Sequence, residues 1–289
     1  MNETWQESAI VFACEGEQLL GIVAAPAQPQ TIGVVIVVGG PQYRVGSHLQ
    51  FTLLARRLAA EGFASLRFDY RGMGDSTGEV RDFEHIATDI RAAIDALIAQ
   101  CPTVQSVALW GLCDAASAAL MYAPSDARVS ALALANPWAR GNDSYARTQL
   151  KHYYLRRLLS ADFWRKVLSG RFNPRRAGAD LRSNISQATA RPAAPDFRTR
   201  MFQAMQRFDG ATLLLLAAQD LTAQEFEVVL NSQAQHRARW QRPDVQRTVI
   251  AEADHTFSRA LSHKNLEDAT AHWLHGLCTA RGVTPRISL

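Results

Sequence analysis

The sequence predicts an α/β protein: a mostly parallel central sheet, helices on both faces and a helical insertion. Three observations carry this reading. Short apolar runs of strand length alternate with amphipathic helical patterns after an opening hairpin. One run, Thr31–Pro41 (TIGVVIVVGGP), is continuously β-branched, as a strand buried on both faces requires. The alternation breaks once, between Asn136 and Asp209, where helical patterns continue without strand-like runs.

In chain order, Ala9–Ala13 and Leu19–Ala24 flank Glu-Gly-Glu and read as an antiparallel hairpin. The β-branched run follows, then a helical pattern over Leu49–Ala60 that stops at Gly62. Phe63–Phe68 is the next strand and leads into the glycine-rich loop Asp69-Tyr70-Arg71-Gly72-Met73-Gly74-Asp75. Ile86, Ile90, Ile94 and Leu97 repeat with helical spacing, predicting a helix to about Gln100. Val104–Trp110 is a strand and Leu112–Tyr122 a helix. Ala131–Ala135 and Thr212–Ala218 are strands, Gln224–Gln233 a helix, Gln246–Ile250 a strand and Leu266–Leu277 the last helix. Residues 1–136 and 209–289 thus form one core. Residues 137–208 form a helical cap inserted in it, with helices near Ser144–Ser160 and Asp162–Leu168.

Charge separates these two parts. Residues 138–208 carry 15 Lys+Arg against 4 Asp+Glu, a net +11 within a chain whose total is +4. A basic cap over a cleft suits an anionic small-molecule or glycan-linked substrate, or peripheral contact with an anionic membrane surface. The competing reading is a cap with its apolar face on the core and its charges in water. No nucleic-acid recognition motif accompanies the charge, so nucleic acid is not an expected partner.

The longest apolar run, Gly33–Val38, falls far short of the roughly 20 residues of a spanning helix. The N-terminal MNETWQESAIVFACEGE has acids where a secretory signal has basic residues, and a cytoplasmic location is expected. The 4 cysteines show neither a CxxC pair nor zinc-ligand spacing, and the glycine-rich loops lack the GxGxxG and Walker patterns. No metal or organic cofactor is expected.

One cysteine stands apart. In Val107–Ala116 (VALWGLCDAA) a buried strand runs into Gly-x-Cys-x-Ala and directly into a helix. That is the strand–turn–helix setting of a G-x-S-x-G elbow, with Cys113 in place of serine. A strained elbow requires small side chains two positions either side of the nucleophile, and Gly111 and Ala115 supply them. The turn sets the sulfur at a helix N-terminus, where backbone N–H groups favour a thiolate and a developing oxyanion.

The partners of such a nucleophile follow in the order acid, then histidine. Asp220 lies just past the apolar strand Thr212–Ala218, and His255 lies in the loop after Val249-Ile250. Each occupies the carboxyl end of a strand, where ligands gather in open α/β sheets. His255 is expected to take the Cys113 proton or to hold it in a thiolate–imidazolium pair, and later to activate water, while Asp220 fixes the imidazole tautomer. Helix capping is the competing reading for Asp220, and Glu252 and Asp254 are rival acids. For the oxyanion hole the expected donors are the N–H of Asp114 and one from the loop Gly39-Gly40-Pro41-Gln42-Tyr43. Proline has no N–H, so Gln42 is favoured, with Gly40 second. The Asp114 carboxylate has three open roles: raising the thiol pKa, stabilising imidazolium, or capping the helix.

Together, Val38-Gly39-Gly40-Pro41, the Asp69–Ser76 loop (DYRGMGDS), the cysteine elbow and the Asp/His pair resemble the α/β-hydrolase superfamily across nearly the whole chain outside the cap. More closely, GGPQYRVGSH, FDYRGMGDS, GLCDAAS and ADHTFS are similar to the exosortase A system-associated hydrolase family, type 1. That resemblance implies a cytoplasmic hydrolase with a Cys-Asp-His triad, associated with bacterial exopolysaccharide and protein-sorting loci. The cysteine is also similar to that of dienelactone hydrolases and polyhydroxyalkanoate synthases. The dienelactone pattern has two glycines where this chain has Ala115-Ala116, a departure that weighs against transferring the dienelactone substrate.

The expected reaction is hydrolysis of an ester or thioester through an acyl-cysteine. Two alternatives stay open: acyl transfer by the same cysteine to a sugar hydroxyl or other acceptor, and an inactive scaffold that keeps the fold.

Overall fold

The structure, a computed structural model, describes residues 4–40, 42–139 and 196–280. Eight strands form one sheet in the order β1-β2-β4-β3-β5-β6-β7-β8. β1 (Trp5–Cys14) and β2 (Glu17–Pro26) form the antiparallel hairpin. It turns on Glu15 and Gly16, both at positive φ as a two-residue primed turn requires. β2 also pairs antiparallel with β4 (Ser65–Phe68). From β4 onward every pairing is parallel, through β3 (Ile32–Val37), β5 (Ser106–Leu112), β6 (Val129–Ala135), β7 (Ala211–Ala217) and β8 (Val245–Ile250).

The hairpin strands run farther than their apolar stretches because β1 is an edge strand. Its N-terminal exposed positions, Gln6 and Ser8, are polar, so the apolar stretch starts later than the strand. β3 is buried at every residue, as its unbroken β-branched composition predicts.

Helices α1 (Gln50–Ala60), α2 (Ala87–Gln100) and α3 (Asp114–Tyr122) lie where helical patterns predict them. α4 (Phe197–Arg207) and α6 (Ala234–Trp240) are additional to the helices expected from the sequence, although α4 buries Met201, Phe202, Ala204 and Met205 at helical spacing. α5 (Leu221–Asn231) begins three residues earlier than its pattern, at the Asp220 cap. The last helix, α7 (Ala260–Ala280), starts well before Leu266 because its first turn, rich in polar residues, carries little periodicity.

Two apolar layers sandwich the sheet. On one face Ile90, Ile94 and Leu97 of α2, Ala119 and Leu120 of α3, and Phe226 of α5 pack against Val35, Val37, Leu109 and Leu132. On the other, Phe51, Leu54 and Leu58 of α1 and Trp273 and Leu274 of α7 pack against Ile36, Trp110, Ala133 and Leu215.

Of the expected cap, residues 137–208, only 137–139 and 196–208 are among the described residues. The predicted helices near Ser144–Ser160 and Asp162–Leu168 lie outside them, as do most of its basic side chains. The described end, α4, packs on the core: Met201 and Met205 are buried with α3, and the Phe197 ring meets Phe83 edge-on at 5.3 Å. Among the described residues no helix is long and apolar enough to cross a membrane.

Strand order reverses at β3, which lies between β4 and β5. The loop after β3 and the elbow after β5 thus lie at the point where the sheet's winding changes direction, the place where open α/β sheets form their ligand crevice.

Candidate active site

Cys113 follows β5 and precedes α3 with φ 62° and ψ −124°. That conformation is rare for a residue with a side chain and costs on the order of 1–3 kcal/mol. Its surroundings hold it in place. The Cys113 N–H donates to the Ala135 carbonyl at 2.9 Å, and the Trp138 N–H donates to the Cys113 carbonyl at 3.1 Å. A Cβ on Gly111 would lie 2.6–2.7 Å from backbone atoms of Ala115 and Ala116, so the tight elbow excludes any side chain there. Cys113 is a free thiol and is partly exposed; the other three cysteines are buried.

Asp220 caps α5: its two carboxylate oxygens accept from the Thr222 and Ala223 N–H groups at 3.2 and 3.1 Å. The same carboxylate meets His255 Nδ1 at 2.9 Å. Capping and orienting, competing readings in the sequence, are both performed by this one side chain. A carboxylate only accepts, so Nδ1 carries the proton and Nε2 remains for a second partner. The Cys113 thiol lies near enough to the imidazole to act on its titration. Asp220 first and Cys113 second push the His255 pKa up to about 10, against an opposing effect of burial.

The rival acids are engaged elsewhere. Asp254 accepts from the Ser258 N–H at 2.9 Å, and Glu252 pairs with Arg259 at 2.5 Å.

Asn136 was not anticipated. It follows β6, is fully buried and sits at φ 43°. Its amide donates to the His255 carbonyl at 3.0 Å and its oxygen accepts from the Ala217 N–H at 2.8 Å. The histidine loop is thus tied to the ends of β6 and β7. A polar residue that tolerates positive φ, directly after an apolar strand, was the available signal.

The loop after β3 is fixed at several points. The Gly40 N–H donates to the Asp114 carboxylate at 3.0 Å. Gln42 Oε1 accepts from Gln50 Nε2 at 3.2 Å and from the Ser47 N–H at 3.4 Å. The Arg44 guanidinium pairs with Asp69 and, at 2.7 Å, with Asp75. Asp69 is fully buried and also accepts from the Arg44 and Asp75 N–H groups at 2.6 and 3.1 Å. The Asp69–Ser76 motif is thereby explained as structure. Its first carboxylate ties two loops together, and Arg71 is buried against Asp89 at 2.8 Å. Among the oxyanion candidates, the Gly40 N–H is thus directed at Asp114.

This crevice arises on a sheet of known type. The sequence matches the Alpha/beta hydrolase family over residues 34–269. The chain belongs to that family. Solved α/β hydrolases share its architecture at low sequence identity. A Pyrococcus furiosus esterase, Pf2001, superposes with a TM-score of 0.65 at 14% identity, over 94% of this chain and 93% of that one. A dienelactone hydrolase from Anabaena variabilis gives 0.63 at 16%, over 95% and 99% of the two chains. Est1E from Butyrivibrio proteoclasticus, solved with ferulic acid bound, gives 0.63 at 14%, over 93% and 98%. No curated protein is detectably similar to the sequence. Among the described residues of this α/β hydrolase, no three His, Cys, Asp or Glu side chains converge as metal ligands would.

Proposed function

We propose that this α/β hydrolase cleaves an ester or thioester through an acyl-cysteine on Cys113, with His255 as base and Asp220 as its orienting acid. The supporting observation is the Asp220–His255 bond at 2.9 Å together with the strained Cys113, which lies close enough to the imidazole to raise its pKa.

With the thiol's proton already held on His255, the Cys113 thiolate attacks the acyl carbonyl. The carbonyl oxygen becomes an oxyanion received by the N–H of Asp114, next after the nucleophile, and that of Gln42. Collapse breaks the bond to the leaving group, which takes the proton from imidazolium. His255 then removes a proton from water, the resulting hydroxide attacks the thioester, and Cys113 is regenerated as the acid departs. Asp220 holds the tautomer and stabilises the imidazolium.

The esterase and dienelactone hydrolase among its structural neighbours support acyl-oxygen chemistry. The motif similarity to exosortase A system-associated hydrolases supports a cytoplasmic role on a glycan-linked acyl group, and the net +11 of residues 138–208 supports an anionic one.

A series of p-nitrophenyl esters of rising acyl length tests this, comparing wild type with Cys113→Ala. The reading predicts a chain-length optimum and a loss of about 10³-fold or more in the variant. Equal turnover by the variant would remove cysteine from the chemistry.

A further inference from the structure

The Asp114 carboxylate lies beside the nucleophile and has no part in the reaction above. It is largely buried in the seam between the elbow and the loop after β3, where His255 also acts on it electrostatically. One oxygen accepts from the Gly40 N–H at 3.0 Å, and the other accepts from the Ala115 N–H at 2.9 Å. Gly40 belongs to the loop that carries Gln42, whereas Ala115 is in the first turn of the nucleophile helix. The carboxylate therefore bridges the two halves from which the oxyanion donors come.

The seam is tight as well as bonded. A Cβ on Gly39 would collide with the Asp114 carboxylate and lie 2.8 Å from the Leu112 carbonyl and 2.9 Å from the Ala115 nitrogen. Only glycine at 39 lets the loop approach closely enough for Gly40 to reach Asp114. From its other end the loop is held by Gln50 on Gln42 and by Asp69 on Arg44. Asp114 alone among these anchors sits on the elbow itself, so it sets the gap between the Gln42 N–H and the Asp114 N–H.

We propose that the Asp114 side chain is a positioning residue that fixes the width of the oxyanion hole by clamping Gly40 to the start of α3. The inference rests on the acyl-cysteine reading. A carboxylate accepts both N–H bonds at once. An amide in its place presents one oxygen and one NH2 group, and the NH2 opposes a donor, so Asp114→Asn breaks one side of the bridge while keeping the volume.

Two reactions of Cys113 separate this role from an effect on the thiol. Acylation by a p-nitrophenyl ester builds an oxyanion; alkylation by iodoacetamide is a displacement at carbon and builds none. In Asp114→Asn the clamp predicts acylation slowed by about 10²-fold, through kcat more than KM, as when one oxyanion donor is lost. Alkylation stays within about 3-fold of wild type, and hydrogen exchange in the peptide covering 38–46 accelerates. Parallel loss of both reactions would instead assign Asp114 to the His255–Cys113 pair and overturn the clamp. Unchanged or faster acylation would overturn it too. If wild type itself forms no acyl-cysteine, the acyl-cysteine reading fails. The exchange measurement still decides whether Asp114 holds the loop, and unchanged exchange contradicts the clamp.

Discussion

Asp220 and His255 are joined at 2.9 Å by a carboxylate that also closes the first turn of α5. The cap holds the carboxylate still before any substrate arrives, and the carboxylate in turn holds the imidazole. Helix and histidine are therefore one mechanical unit, and a substitution at Asp220 disturbs both.

The first consequence is separable in Asp220→Asn. Asparagine still caps a helix well, so stability falls by only about 1 kcal/mol, a shift of about 2–4 °C in Tm. The amide no longer enforces the Nδ1–H tautomer, and kcat falls by about 10²–10⁴-fold. Thermal melts beside ester kinetics check this. A kinetic loss no larger than the stability loss explains would contradict the orienting role.

His255 supplies a second prediction. Its pKa, raised to about 10 by Asp220 and then Cys113, means that folding favours the imidazolium. A raised folded pKa contributes stability that is fully present below the ordinary imidazole value of about 6.5 and is lost as pH climbs toward 10. The stability difference between wild type and His255→Gln should therefore shrink between pH 6.5 and 10, with wild type losing ground. NMR of the imidazole should show a midpoint far above 6.5, falling back in Asp220→Asn. A wild-type midpoint near 6.5 would contradict the ion-pair geometry.

At position 113 the usual order of alanine and glycine reverses. In most folded segments glycine is the less stable of the two. Here φ is 62°, a conformation glycine adopts freely and alanine does not. Cys113→Gly should be more stable than Cys113→Ala by about 1 kcal/mol, read from urea midpoints at equal m-values. Alanine as the more stable variant would mean that the elbow carries no strain.

Asn136 gives a fourth. Asn136→Asp keeps the acceptor for the Ala217 N–H but turns a carboxylate toward the His255 carbonyl. The His255 loop loses its tie, and kcat should fall by about 10-fold, with destabilisation of about 1–3 kcal/mol from the buried mismatch. Asn136→Asp kinetics with KM unchanged within error fit a positioning role; an unaltered kcat excludes it.

The legible parts of this protein are those where one residue type meets one physical demand. β3 reads from its sequence because burial on both faces forces an unbroken apolar run. The elbow reads because only small residues fit two positions from Cys113. Asp220 and His255 read because they follow strands whose ends define the crevice. What escaped depends on contacts distant in sequence. α6 is short and buries the polar His236 and Arg239, while α4 carries its apolar stripe, Met201, Phe202 and Met205, at the end of an Arg-rich passage. Asn136 gains its role from Ala217 and His255, 81 and 119 residues away. The Asp114 carboxylate has three chemically reasonable uses in sequence. Its bonds to Gly40 and Ala115 exist only because β3 and β5 are neighbours in the sheet.

The most direct test of the account is intact-mass spectrometry of the protein quenched in acid during turnover of a p-nitrophenyl ester. One acyl group should appear on the wild type, map to the peptide containing Cys113 and be absent from Cys113→Ala. An adduct that persists in the variant, or maps to another residue, would contradict Cys113 as the nucleophile.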